Sequence, residues 1–246
     1  MGKTVMIVGA TSAIARATAA AFAAQGHDIY LAGRNADELA RIAADLAVRY
    51  RVQARWGLFV AEDLAVHGAF FTQAIADMGE MHGVVLAMGY LGDQQAAREF
   101  SVGGEAVILV NFTAAVSILS QCARYLEARK QGFIIAISSV AGDRGRQSNY
   151  PYGAAKAGLS VYLQGLRNRL YPAGVRVITV KPGFVDTAMT YGMAGLFLVA
   201  SPQYMGERIV RALSKSTDVV YLPWFWRYIM LIIKFIPETI FKRLKL

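Results

Sequence analysis

The chain has 246 residues, of which 55% are hydrophobic and 17% charged, and its net charge is +9. That length suits one large domain able to bury its own core, and the apolar content excludes a disordered chain. A single cysteine, Cys122, excludes a disulfide framework and fits a reducing compartment. No spanning helix is expected, because no run of about 18 uncharged, apolar residues stands out. Lys3 leads at once into the apolar run 4–8, which reads as a first core strand and not as a secretory leader.

Strand-like runs at 4–8, 28–32, 51–59, 83–88, 133–138, 176–180 and 219–222 alternate with helical patterns such as 13–25, 36–50 and 64–78. Such alternation implies crossover connections and a parallel sheet. The runs are continuously apolar, as expected when helices cover both faces of the sheet. The expected fold is therefore a single α/β domain over 1–222. It is a Rossmann-type, doubly wound parallel sheet of seven strands, followed by a hydrophobic, basic helical extension at 223–246. Ligands of such sheets bind beyond the carboxyl ends of the strands, so the residues directly after each run are the candidates for chemistry.

After the first run comes Gly9-Ala10-Thr11-Ser12-Ala13-Ile14-Ala15, leading into a helix. A glycine-opened turn at a helix N-terminus offers backbone N–H groups to an anion such as a pyrophosphate. Gly9, Thr11, Ser12, Ala13 and Ile14 are its candidate contacts. An ordinary strand-to-helix turn explains the same letters. The spacing resembles the Gly-xxx-Gly-x-Gly turn of the short-chain dehydrogenase/reductases, with Ala13 and Ala15 in place of the second and third glycines. A methyl at 13 narrows the approach to phosphate, and one at 15 crowds the helix against the strand.

The second run ends Gly33-Arg34-Asn35. Gly33 stands where NAD-selective relatives carry an acid for the ribose 2′-OH. Arg34 offers planar paired donors to the 2′-phosphate of NADP, unless it is simply a solvated arginine. Asn35 joins it as a candidate contact. After the third run, Asp63 and Leu64 match the family's adenine position, and Asp63 also suits a helix N-cap. After the fourth, Ala87 and Gly89 stand in Leu86-Ala87-Met88-Gly89, where the family has Asn-Asn-Ala-Gly.

Tyr152 and Lys156 are four apart and share a face if helical. A lysine cation beside a phenol lowers the phenol's pKa, which lets it shuttle a proton. One such pair is within chance, so context carries the argument. Ser139 lies thirteen residues before Tyr152, Asn111 lies in Val110-Asn111-Phe112-Thr113, and Lys181-Pro182-Gly183-Phe184-Val185-Asp186-Thr187 closes the next strand. This ordered set resembles the short-chain dehydrogenase/reductases over residues 3–222. The resemblance implies an enzyme that interconverts a ketone and an alcohol with NADPH. Tyr152 would be the general acid, Ser139 would polarise the carbonyl, and Lys156 would bind the nicotinamide ribose and tune Tyr152. Asn111 would hold a relay water, and Pro182, Gly183, Val185 and Thr187 would line the nicotinamide end. Ala114 replaces a family glycine without removing a proton-transfer group. Tyr150 is out of register with Lys156 and has no role in catalysis. His27, His67 and His82 show no ligand spacing, so no metal is expected; they read as surface or loop residues, and Cys122 as an inert core residue.

The loop at 88–93, the stretch 139–149 and the C-terminus together look like a subfamily, the keto-reductases of the decaprenylphosphoryl-ribose 2′-epimerase system. That resemblance implies a lipid-linked keto-sugar substrate, a homo-oligomer (dimer or tetramer), and a cytoplasmic location at the inner face of a membrane. A carbonyl or 3-ketoacyl reductase acting on another hydrophobic substrate keeps the same mechanism. A non-catalytic NADP-binding sensor is disfavoured by the intact proton-transfer set. Segment 188–200 is apolar and Met-containing, and reads as a substrate lid or a buried core helix. Arg144 and Arg146 read as a substrate-phosphate site or as a solvated loop. The last 23 residues hold five basic residues, Arg227, Lys234, Lys242, Arg243 and Lys245, against Glu238, and so supply +4 of the net +9. The basic stripe with Trp224, Trp226 and Tyr228 beside it suits a helix in a membrane interface, divided by Pro237. Oligomer contacts or packing on the body explain it equally. Interleaved aliphatics in the tail argue against nucleic acid as a partner.

Overall fold

The computed structural model describes residues 2–192 and 195–244. In chain order the elements are β1 (Thr4–Val8), α1 (Ala13–Ala23), β2 (Asp28–Gly33), α2 (Ala36–Tyr50), β3 (Ala54–Leu58), α3 (His67–Met78), β4 (Gly83–Leu86), α4 (Glu105–Ile108), α5 (Ala114–Arg129), β5 (Phe133–Ile137), α6 (Tyr150–Leu170), β6 (Arg176–Pro182), α7 (Pro202–Arg211), β7 (Val219–Leu222), α8 (Trp226–Phe235) and α9 (Glu238–Phe241). The seven strands form one parallel sheet in the order β3-β2-β1-β4-β5-β6-β7. The strand order reverses between β1 and β4, and the crevice at that switch point is where such sheets bind ligands.

Side chains alternate across each strand, so the apolar runs divide into two cores. Met6, Val8, Tyr30 and Ile134 face α3, α5 and α6, where they meet Phe71, Ile118 and Leu159. Val5, Ile7, Leu31 and Ile178 face α1, α2 and α7, where they meet Phe22, Leu39 and Ile209. The Ala-rich helices allow close approach. Gly206 of α7 lies so near α1 that a Cβ there would come within 2.5 Å of the Ala17 backbone.

Capping side chains fix where the helices begin. Ser12 caps α1 by accepting from the Ala15 N–H at 3.2 Å, and Asn35 caps α2 by accepting from the Glu38 N–H at 3.0 Å. Asp37 and Glu38 in the first turn of α2 and Arg49 in its last complement the helix dipole. Arg51 then ends α2 in the left-handed region, so β3 starts at Ala54, three residues later than the run 51–59 suggests. As an edge strand, β3 leaves Trp56 and Leu58 exposed, unlike the strands inside the sheet.

The helical stretch Glu105–Arg129 is long and apolar enough to cross a membrane, which corrects the expectation that no such stretch exists. Half of its apolar window is buried inside the fold, and Ile118, Leu119 and Cys122 face the core, so it serves here as a core helix. Cys122 is fully buried, which raises its thiol pKa. His67 is not a surface residue. It is fully buried beside Phe59, with Nδ1 2.9 Å from the Ser117 hydroxyl and Nε2 3.3 Å from the Val60 carbonyl. It pins the β3–α3 connection.

Candidate active site

Gly9 ends β1 with φ +81°, and a Cβ there would sit 2.6 Å from both Cα and N of Met88. Only glycine supplies both the backbone angle and the close approach. The Gly9 and Ala10 N–H groups both donate to the Ala32 carbonyl at 2.9 Å, which draws the turn onto β2. A cavity of about 410 Å³ opens beside this turn, with Gly9, Thr11 and Ser12 on one side. Ala13 and Ile14 form the first turn of α1 behind them, where backbone N–H groups have no intrahelical partner. Ala87 and Gly89 form the opposite wall together with Met88 and Tyr90.

Gly33 and Arg34 close the outer end of the cavity. Arg34 is 72% exposed, and its guanidinium is 3.6 Å from the Glu62 carboxylate across the rim. Asn35 spends its side chain on the α2 cap. The acidic residue in the cavity wall is Glu62, beside Ala61 and Phe59, and not Asp63. The Asp63 N–H bonds back to the Val60 carbonyl, which turns Asp63 and Leu64 into the short 3-10 turn Leu64–Val66, outside the wall. Asp63 stands at the cap position of that turn but makes no capping hydrogen bond with its side chain.

Asn111 lies on a π-helical segment, Leu109–Thr113, between α4 and α5. Such single wide turns displace a side chain from the regular helical ladder and often mark functional sites. Asn111 is buried, and its carboxamide spends both donors and one of its two acceptor positions within the protein. Nδ2 donates to the Tyr90 carbonyl (2.6 Å) and the Val107 carbonyl (2.8 Å), and Oδ1 accepts from the Tyr90 N–H (3.2 Å). This clamp braces the loop after β4, from which the family's paired asparagines are missing.

Tyr152 and Lys156 share one face of α6, with the Lys156 ammonium 5.7 Å from the Tyr152 ring centre. Lys156 is 2% exposed and its Nζ donates to the Ile137 carbonyl at 3.2 Å. Ser138 and Ser160 hold the Lys156 carbonyl at 3.0 and 2.8 Å. A Cβ on Gly89 would lie 3.3 Å from Asn111 Oδ1, 3.6 Å from Lys156 Nζ and 3.7 Å from Met189 Cε. Gly89 is therefore the point where the β4 loop, the π turn, α6 and the 188–200 segment converge. Ser139 Oγ accepts from the Ala141 N–H at 3.0 Å and borders Tyr152.

Tyr152 is partly accessible but largely surrounded by protein. Burial pushes its phenol up to about 12, and the Ser139 hydroxyl works in the opposite direction. The sequence suggests the reverse shift, a phenol lowered by Lys156. Desolvation wins because it acts on Lys156 as well and pushes that ammonium down to about 8.

The nicotinamide-end candidates continue from β6. Pro182 is the last residue of β6, in register with Leu222, and Gly183 N–H bonds to the Leu222 carbonyl at 2.9 Å. Val185 forms a bridge with Ala200, and Thr187 N–H bonds to the Thr190 hydroxyl at 3.1 Å. Together they frame the loop 188–200. That loop forms no helix among its described residues, and it exposes Tyr191, Phe197, Leu198 and Val199, which excludes a buried core helix. Met193 and Ala194 lie outside the described residues.

Residues 3–194 match the family described as short chain dehydrogenase. An uncharacterized oxidoreductase of Mycobacterium tuberculosis is 36% identical over 240 residues, covering 98% of this chain and 96% of the relative. Another from Streptomyces coelicolor is 32% identical over 244 residues, with the same coverage of 98% and 96%. The chain belongs to the short-chain dehydrogenase family. It is accordingly an oxidoreductase acting between CH–OH and C=O groups, in a family that binds a nicotinamide cofactor. The fold is also that of an actinorhodin polyketide ketoreductase with NADPH (TM-score 0.81, 19% identity, 92% and 97% of the two chains). An NAD+-bound xylitol dehydrogenase is similar too (TM-score 0.80, 20% identity, 89% and 96%).

This short-chain dehydrogenase fastens residues 226–241 to the candidate site. Trp226 of α8 is buried directly on Gly183, where a Cβ would come within 1.9 Å of the indole Nε1. Phe184 and Phe197 complete an aromatic cluster with Trp226, with ring centres 5.4 to 5.7 Å apart. Arg144, five residues after Ser139, is neither solvated nor open to a substrate phosphate. It donates to the carbonyls of Ile233 (3.1 Å), Lys234 (2.9 Å) and Ile236 (2.6 Å), pairs with Glu238 at 2.8 Å, and lies over Phe241. It thereby satisfies the carbonyl end of α8. Arg146 is also largely buried, which lowers its pKa against the pull of Asp143. Glu62, Met189 and Gln94, whose Oε1 accepts from the Tyr152 N–H at 3.4 Å, carry no motif.

Arg144→Met keeps the aliphatic stem and removes every donor. The tail is expected to become the first site of limited proteolysis, with cleavage at least several-fold faster at an unchanged global unfolding midpoint. Unchanged cleavage would show that Arg144 does not anchor α8.

Proposed function

We propose that this enzyme reduces a ketone to an alcohol with NADPH, and that its substrate is a lipid-linked keto-sugar of the decaprenylphosphoryl-2-keto-pentose kind. The observation that carries the chemistry is the convergence of Asn111, Ser139, Tyr152 and Lys156 beside the cavity opened by Gly9. That cavity suits a dinucleotide, because Gly9 brings backbone where a Cβ could not pass and the α1 N-terminus offers free N–H groups to a phosphate. When bound, the nicotinamide cofactor supplies the hydride that reduces the carbonyl carbon.

The protein's own groups then supply one proton and hold one oxygen. Tyr152, with its pKa near 12, carries its proton at neutral pH and donates it to the nascent alkoxide. Ser139 donates a hydrogen bond to the same oxygen as negative charge develops. Lys156 contributes positive charge beside Tyr152 and would bond the ribose of a bound cofactor. Asn111 fixes the Tyr90 backbone and adds the water-holding role implied for its position. Pro182, Gly183, Val185 and Thr187 would line the nicotinamide end of a bound cofactor.

Arg34 supports the choice of NADPH, since its guanidinium stands at the rim with only the exposed Glu62 carboxylate as partner. The apolar exposure of Tyr191, Phe197 and Leu198 supports a hydrophobic substrate. The same exposure suits a 3-ketoacyl thioester, the second reading. A substrate carried on a lipid would place the enzyme at the cytoplasmic face of a membrane.

The decisive assay compares polyprenyl-phosphoryl keto-pentose with β-ketoacyl thioesters, with NADPH or NADH as donor. Turnover should be specific to the keto-pentose and to NADPH. Arg34→Ala should raise KM for NADPH roughly tenfold, the effect of one charged hydrogen bond, and leave NADH unchanged. Tyr152→Phe should abolish turnover and keep cofactor binding. A Tyr152→Phe enzyme that still turns over would remove the proton-donor assignment.

Activity should also depend on pH with a definite sign. Lys156 loses its proton as pH rises through about 8, whereas Tyr152 keeps its own to about 12. Reduction should therefore fall above pH 8 along a one-proton limb. Lys156→Arg, with a charge that does not titrate, should lack that limb at a lower absolute rate. A wild-type profile flat to pH 10 would contradict the assignment.

A further inference from the structure

The outer face of α8 and the open edge of β7 form one continuous surface that the reductase chemistry does not use. β7 ends the sheet, so its far edge has no strand partner. Two adjoining hollows, each of about 390 Å³, run along it and share Thr217, Val219, Tyr221 and Arg227. Five cations frame them: Arg208 and Arg211 from α7, Lys215, and Arg227 and Lys234 from α8. Among the described residues, none of these five is within ion-pair distance of a carboxylate. The acids nearby have other partners. Asp143 binds Lys181 and Tyr221, Asp218 faces Arg167, and Glu238 is held by Arg144. Glu207 lines the next groove, between α1 and α7.

The apolar part of the surface adjoins this groove. Trp224 (67% exposed), Tyr228, Leu231, Ile232 and Phe235 (78% exposed) lie along the outside of α8, while Trp226 and Met230 fill its inside. Trp224 and Leu231 themselves line the cationic hollows. Aromatic residues exposed beside unpaired arginines and lysines match an anionic layer with an apolar interior beneath it.

We propose that this surface docks the enzyme on an anionic lipid bilayer. Trp224, Tyr228, Leu231 and Phe235 enter the interface, and the β7-edge groove receives the phosphate headgroups. Charge decides between this occupant and a second copy of the chain. A two-fold contact through the same face would set the unpaired cations against one another, and like charges across an interface are repelled. An anionic bilayer complements both the charge and the apolar area. Docking would also orient the site, because Trp226 on the inner face of α8 packs against Phe197 of the 188–200 loop, 5.5 Å between ring centres. The inference goes beyond ketone reduction and holds whichever ketone is the substrate.

The test uses the full chain and vesicles of phosphatidylcholine with or without phosphatidylglycerol. The protein should co-sediment with the anionic vesicles only, and high salt should release it by screening the headgroup contacts. Trp224→Ala/Phe235→Ala and Arg227→Glu/Lys234→Glu should each lower partitioning roughly tenfold at unchanged circular dichroism. All four positions are exposed, so the fold should survive. Equal binding to neutral vesicles, no binding at all, or binding insensitive to both variants would overturn the proposal. A dimer in light scattering that the same variants dissociate, without vesicle binding, would assign the face to a second copy and overturn it as well.

Discussion

A lysine ammonium almost sealed from solvent is the constraint that organises the site. Burial of a cation is tolerated only where fixed dipoles replace water. Lys156 meets that condition through the Ile137 carbonyl at the end of β5, while Ser138 and Ser160 anchor its own backbone. The same enclosure acts on the phenol one turn earlier. Two groups with ordinary values near 10 are driven apart, Tyr152 to about 12 and Lys156 to about 8. The phenol thus holds its proton more firmly than the ammonium does. It is the weaker acid of the two, so its place beside Ser139, and not its pKa, makes it the proton donor of the proposed reaction.

Glycines define how closely the loops can converge on that pair. Gly9 lets β1 turn against the backbone of Met88, Gly89 leaves room between Asn111 and Lys156, and Gly183 accepts the indole of Trp226. These are contacts between strand ends, made at the edge of the sheet where ligands enter. The alanines at 13 and 15 stand differently. Ala15 is fully buried in the core beneath α1, so its methyl fills space that the family's glycine leaves open. The turn keeps the glycine that its backbone angle requires and loses those that packing can replace.

Elements set by hydrophobic period were legible in the sequence. β1, α2 and β7 begin and end where the apolar pattern says, because their flanks carry caps or turns that stop them. The order of Asn111, Ser139, Tyr152 and Lys156 was readable because the i,i+4 spacing of Tyr152 and Lys156 on α6 and the place of Ser139 just after β5 are both legible in the chain. What escaped depends on through-space geometry. A single hydrogen bond from Asp63 to Val60 puts Glu62, not Asp63, in the cavity wall. His67 looked like a loop residue because its partners, Ser117 and the Val60 carbonyl, are on separate elements. The direction of the Tyr152 shift depends on desolvation, which a sequence spacing does not measure.

The tail shows the same limit most plainly. Read as a wheel, residues 224–235 give one apolar face with a basic stripe. In the fold, the apolar positions separate into two sets: 225, 226, 229, 230 and 233 inward, and 224, 228, 231, 232 and 235 outward. The inward set is held by Gly183 and by Arg144, which ties the carbonyl end of α8 to the loop after Ser139. A helix anchored this firmly cannot rotate to hide its outer residues. Their exposure is therefore a fixed property of the folded chain. Arg144, which a sequence reading leaves between a substrate-phosphate site and a solvated loop, instead keeps that second apolar face turned outward.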